Sequence, residues 1–128
     1  FPGMVLAIIG GVSVHLVESN RRKCTFLNEV NRLTGAGATV HNRRIEDLGP
    51  FAADVITARA CAPVKKLLAF AAPFAGTGSV CLFLKGRKGE EELTESSKKW
   101  IMRTSSIPSL TDPSGVILKL EDISRRNE

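Results

Sequence analysis

The strongest constraint in this chain is an alternation that runs from end to end. Short β-branched or apolar runs take turns with amphipathic stretches, and the last two apolar runs meet at a tight turn. "SVHLVES" reads as a strand. "NRRKCTFLNEVNRLTG" puts Phe26, Leu27, Val30 and Leu33 on one helical face, with Ser19 as the expected N-cap and Gly35 just past the end. "ATVHNRRIEDL" begins as a strand and turns polar at Asn42, and "ADVITARA" is the next strand. Pro63 opens a helix that carries Val64, Leu67, Leu68 and Ala71 and stops near Gly76. "SVCLFLKG" is nearly all apolar, as a strand covered on both faces would be. "KGEEELTESSKKWI" reads as a polar helix anchored by Leu93 and Trp100. "MRTSSIPSL" and "GVILKLEDI" flank the turn "TDPSG", so they pair antiparallel.

Repeated βα units followed by a hairpin define a doubly wound α/β sheet with an antiparallel edge. The 128 residues suit one domain, residues 1–128, with no repeats or linkers. The opening "FPGMVLAIIG" reads as the start of a helix with no strand before it. In a doubly wound sheet the first strand lies between later ones. The expectation is therefore that the native protein extends upstream of Phe1, and that without that strand two sheet edges are left unpaired.

Composition narrows the setting. No apolar run is long enough to cross a bilayer. Cys24, Cys61 and Cys81 show neither CxxC nor Cys/His spacing, which argues against zinc and against a disulfide framework. Cys24 and Cys81 read as small core residues, Cys61 as an unreactive thiol, and a reducing, cytoplasmic compartment fits. The net charge of +5 mildly favours a polyanionic partner.

In such sheets ligands bind beyond the carboxyl ends of the strands. Those ends carry Glu18-Ser19-Asn20, then Arg43 to Asp47, then Arg59, then Lys85-Gly86-Arg87-Lys88. An acid in the position of Glu18 can accept both hydrogen bonds of a nucleoside ribose, or can be a solvated acid beside a helix N-terminus. Glu46 could meet a purine edge, or be an exposed acid like its neighbour Asp47. Arg59 is a fixed charge among the small residues Ala58, Ala60 and Cys61. The basic groups suit phosphates, or are surface charge. His15 and His41 lie within strands and read as structural.

In order and spacing, "FPG", "LVESNRRKCTFLNEV", "RIEDL", "ITARACAPVKKLL" and "LKGRKGEEEL" resemble the bacterial 16S ribosomal RNA guanine-N7 methyltransferases, also called the glucose-inhibited division protein B family. The resemblance covers nearly the whole chain. It implies a Rossmann-like, class I S-adenosylmethionine-dependent methyltransferase sheet with a C-terminal antiparallel hairpin. This would be a single methyltransferase domain lacking its first strand and upstream helical segment. It also implies S-adenosyl-L-methionine as cofactor and 16S ribosomal RNA or the small ribosomal subunit as partner, with no metal, no membrane and no oligomer. Phe1 and Gly3 would close the cofactor loop, Glu18 would take the ribose, Ile45 and Glu46 the adenine side, and Arg59 a further cofactor contact. Lys85, Arg87 and Lys88 would hold RNA. No catalytic side chain is expected, because guanine N7 has a free lone pair. The alternatives are a nicotinamide-dependent oxidoreductase, for which no Tyr is available as proton donor, and a non-catalytic RNA-binding module.

Overall fold

In the computed structural model, which describes residues 2–59 and 62–127, the chain divides into two compact units, residues 1–49 and 50–128. In the first, helix α1 (Pro2–Ile9) precedes strand β1 (His15–Val17), and helix α2 (Arg21–Thr34) crosses over to strand β2 (Thr39–His41). β1 and β2 pair in parallel, with His15 opposite Thr39 and Val17 opposite His41. One turn of 3-10 helix, Ile45–Asp47, follows.

Local chemistry explains where α2 starts and stops. The Asn20 side chain accepts the Lys23 N–H at 3.0 Å, so Asn20 rather than Ser19 is the N-cap. Asn caps as well as Ser, and here the chain reaches helical geometry one residue later than expected. Gly35 ends the helix at φ 64°, a left-handed conformation that costs other residues more. Asn31 then clips the helix to β2, donating to the Ala38 carbonyl at 2.8 Å and accepting its N–H at 2.9 Å. The buried stripe of α2 is Cys24 and Leu27. Phe26 and Leu33, expected on that face, are 57% and 69% exposed. Phe26 is one residue from Leu27, about 100° around a helix, so both cannot point inward.

The second unit holds β3 (Ala53–Ala58), α3 (Val64–Ala71), a 3-10 turn (Ala72–Phe74), β4 (Ala75–Lys85), α4 (Gly89–Ser96), β5 (Trp100–Pro108) and β6 (Val116–Arg125). Its four strands lie in the order β3-β4-β6-β5. β3 and β4 are parallel, and β6 runs antiparallel to both β4 and β5. Val64, Leu67, Leu68 and Ala71 of α3 all pack into the core, against Cys81, Phe83, Trp100, Leu118 and Leu120. Along β4, Ser79, Cys81, Phe83 and Lys85 are buried, while Val80, Leu82 and Leu84 between them are only half-buried. The strand thus has one sealed face rather than two.

Trp100 is buried, but it opens β5 instead of anchoring the preceding helix. The Ser96 and Ser97 hydroxyls donate back to the Leu93 and Thr94 carbonyls, and the helix ends there. Leu93 does pack against the core as expected. At the hairpin, Asp112 accepts the Ser114 hydroxyl at 2.8 Å and N–H at 3.0 Å, which together hold its carboxyl below the usual range. No helix among the described residues is long and apolar enough to cross a membrane.

Candidate functional site

In the first unit the carboxyl ends of β1 and β2 are fastened together. The Glu18 N–H donates to the His41 carbonyl at 3.0 Å. The Asn42 side-chain amide donates to the Glu18 and Ser19 carbonyls, each at 3.1 Å. From below, the Cys24 thiol donates to the Glu18 carbonyl. This backbone is held from three sides, which sets the Glu18 carboxylate at the start of α2. One oxygen, Oε2, accepts the Asn20 N–H at 3.0 Å; the other, Oε1, lies 3.8 Å from Lys23 Nζ. Ile45 is half-buried and Glu46 exposed, both in the 3-10 turn after β2.

Gly3 sits in the first turn of α1, and a Cβ there would lie 2.6 Å from Leu16 Cδ2. A glycine is what lets that helix lie against β1. Phe1 lies outside the described residues. His15 and His41 stack across the strand pair with their rings 5.2 Å apart, and His15 Nδ1 lies 2.9 Å from His41 Nε2. Burial, then the charges of His15 and Arg43, lowers the His41 pKa.

In the second unit Arg59 follows β3 directly and is exposed. The register pairs Ala58 with Phe83, so Arg59 and Lys85 share one end of the sheet. Ala60 and Cys61 lie outside the described residues. Lys85 is buried, 7% exposed. Its ammonium donates to the Ala62 carbonyl at 2.7 Å and pairs with Glu92 Oε1 at 2.8 Å. The same Glu92 oxygen accepts the Val64 N–H at 3.1 Å, at the start of α3. Gly89 permits the arrangement: a Cβ there would lie 2.9 Å from Val116 and 3.1 Å from the Lys85 Cβ. Lys85 therefore holds the chain at Ala62 from inside, whereas Arg87 and Lys88 are exposed.

A concavity of about 380 Å³ lies here, lined by Pro63, Lys85, Gly86, Arg87, Lys88 and Glu92 among others. Glu92 is a residue that sequence reasoning missed. Nothing local distinguishes it from Glu90 and Glu91 beside it. Among the described residues no group of three or more His, Cys, Asp or Glu is placed to hold a metal ion.

Solved structures share this architecture. A ribosomal protein L11 methylase from Lactobacillus delbrueckii subsp. bulgaricus superposes with a TM-score of 0.68 at 18% identity, over 96% of this chain and 65% of that one. A methyltransferase from Geobacter sulfurreducens gives 0.67 at 11% identity, over 85% of this chain and 58% of that one. The fold is thus that of the class I methyltransferases.

A family model described as rRNA small subunit methyltransferase G matches residues 1–117. A ribosomal RNA small subunit methyltransferase G of Paramagnetospirillum magneticum is 55% identical over 98% of this chain and 61% of its own length. A protein of the same name from Rhodospirillum centenum is 51% identical over 98% of this chain and 58% of its own length. The chain belongs to the rRNA small subunit methyltransferase G family. It spans about three fifths of the length of these relatives.

Proposed function

We propose that this protein transfers a methyl group from S-adenosyl-L-methionine to N7 of a specific guanine in 16S ribosomal RNA of the small subunit, acting in the cytoplasm as a monomer. The observation that carries the reading is the family match over residues 1–117.

The residues fit such a cofactor. Glu18 presents a carboxylate at the carboxyl end of β1, one of whose oxygens has only a loose partner at 3.8 Å. A vicinal diol asks for such an acceptor. Ile45 and Glu46 would flank the adenine. Arg59, wet in the free protein, would meet the cofactor's carboxylate or an RNA phosphate. Phe1 and Gly3 belong to the same reading, Gly3 through its packing on β1.

Bound S-adenosylmethionine would supply an electrophilic methyl on a sulfonium. Guanine N7 keeps a lone pair in the neutral base, so no side chain has to remove a proton first. The work left to the protein is to hold the partners in line and to favour that arrangement over others. The target base must leave its stack. Arg87 and Lys88 are exposed beside the concavity and would hold the RNA backbone. The buried Lys85 would serve them by fixing the chain at Ala62 and, through Glu92, at Val64.

Tritium transfer to small ribosomal subunits, beside calorimetry with S-adenosylmethionine, tests the reading. Glu18→Ala is expected to weaken cofactor binding by ~1.5–3 kcal/mol, the range for hydrogen bonds to a charged group. Arg59→Ala should lower transfer about 10–100-fold through a charge-assisted bond of the same size, with an unchanged melt. Arg59→Lys should not rescue it, since Lys lacks the planar fork. A wild-type protein that binds no cofactor overturns the function, and full transfer by Arg59→Ala overturns the site.

A further inference from the structure

A second concavity, of about 310 Å³, opens in the same unit, and its charged lining is entirely basic: Lys65 and Lys66 from α3, Lys99 from the turn before β5, and Arg125 from the end of β6. Trp100 forms part of its wall, and the Arg125 guanidinium lies 5.0 Å from the Trp100 ring centroid. That contact fixes the planar fork before any ligand arrives. Arg126 extends the patch, its backbone N–H held on the Lys99 carbonyl at 2.8 Å. The nearby Glu95 is already paired with Lys98 at 3.0 Å. Lys65, Lys66, Lys99, Arg125 and Arg126 thus put five of the chain's 18 basic side chains in one patch.

Pro63 lines this concavity and also the one at the end of β4. The two meet at that residue. Arg87 and Lys88 line the first, and Lys65, Lys66, Lys99 and Arg125 the second. A small anion would need one such group, whereas an extended polyanion could use both. The start of α3 is not itself free to take an anion, because Glu92 already occupies the Val64 N–H.

We infer that the RNA backbone runs across Pro63 and is gripped by phosphate contacts at Lys65, Lys66, Lys99 and Arg125, a docking surface adjoining the transfer site. The inference rests on the reading that RNA is the substrate. The lysine contacts position the RNA without reading its sequence. Docking distributed over several cations gives a steep salt dependence.

The test is filter binding of the full-length protein to a 16S ribosomal RNA fragment across a salt series, comparing wild type with Lys65→Gln/Lys66→Gln/Lys99→Gln. The triple variant should bind ~10-fold or more weakly at 0.15 M salt, and its salt slope should shrink by about two, from ~0.7 per lost phosphate contact. S-adenosylmethionine affinity and the thermal melt should stay as in wild type, and replacing the same lysines by Arg should restore RNA binding. Should the triple variant melt early, Lys99→Gln alone is expected to lose roughly two- to threefold. Equal affinity and slope overturn the docking surface. Weakened RNA binding supports the surface even if wild type transfers no methyl group; that result would count against the proposed function alone.

Discussion

The two units of this chain bury their apolar residues very differently. In the second, nine residues from α3, β4, β5 and β6 form one connected core, and Val64, Leu68, Cys81, Leu118 and Leu120 are wholly inaccessible. In the first, Met4, Ala7, Cys24 and Leu27 are the buried hydrophobics, while Val5, Leu6, Ile8 and Ile9 of α1 stand exposed beside Phe26 and Leu33 of α2. Strand number accounts for much of the contrast. A two-stranded parallel pair offers too small a face to cover two helices, whereas four strands seal α3 and the end of α4 against one side. The lesson is that similar βα units can differ sharply in how much stability their own packing supplies.

The contrast breaks most easily at Phe83, which is 1% exposed. Phe83→Ala should cost about 3–5 kcal/mol, whereas Leu33→Ala at the surface should cost less than about 0.5. Urea unfolding followed by the fluorescence of Trp100, the single tryptophan, reads the second unit, and far-ultraviolet circular dichroism followed in parallel reads α2 in the first. Similar costs for the two variants would erase the distinction.

Glu92→Gln is expected to cost about 3 kcal/mol, the lower end for removing one partner of a buried pair, because it leaves the buried Lys85 ammonium without a counter-charge. An unchanged urea midpoint would mean that the Ala62 carbonyl alone satisfies Lys85. A third effect reports how dry the larger core is. Burial pushes the Cys81 thiol up from 9.0 to about 11. The unfolded thiol ionises first, so above pH 9 the folded state holds the extra proton and stability falls, by roughly 2 kcal/mol at pH 11. The wild-type curve should converge toward that of Cys81→Ala over this range, and parallel curves would show a wetter core. The smallest change belongs to the first unit. Asn20→Ala removes the α2 cap and should cost about 1 kcal/mol, measured by circular dichroism melts. Ser19→Ala should cost almost nothing, and the reverse ranking would return the cap to Ser19.

What could be read from the chain alone follows from short-range physics. The order of strands and helices, the antiparallel hairpin, the inward face of α3 at Val64, Leu67, Leu68 and Ala71, and the left-handed Gly35 all depend on periodicity and turn chemistry within a few residues. The rim positions Glu18 and Arg59 follow because they come directly after their strands. Where two local solutions were nearly equal in energy, as with Ser19 and Asn20 or the two sides of α2, the structure settled which prevailed. Trp100 changed element because two serine hydroxyls end the helix early.

Only the tertiary structure decided the rest. It chose Glu92 from three consecutive glutamates, turned Lys85 inward onto Ala62, and gathered Lys65, Lys66, Lys99 and Arg125 around one concavity. Residues up to 62 positions apart meet there, Pro63 and Arg125, because the sheet order β3-β4-β6-β5 brings distant segments side by side. Charges carry no sequence period that would announce such a meeting, and an ion pair or a basic patch exists only once the backbone has closed the distance.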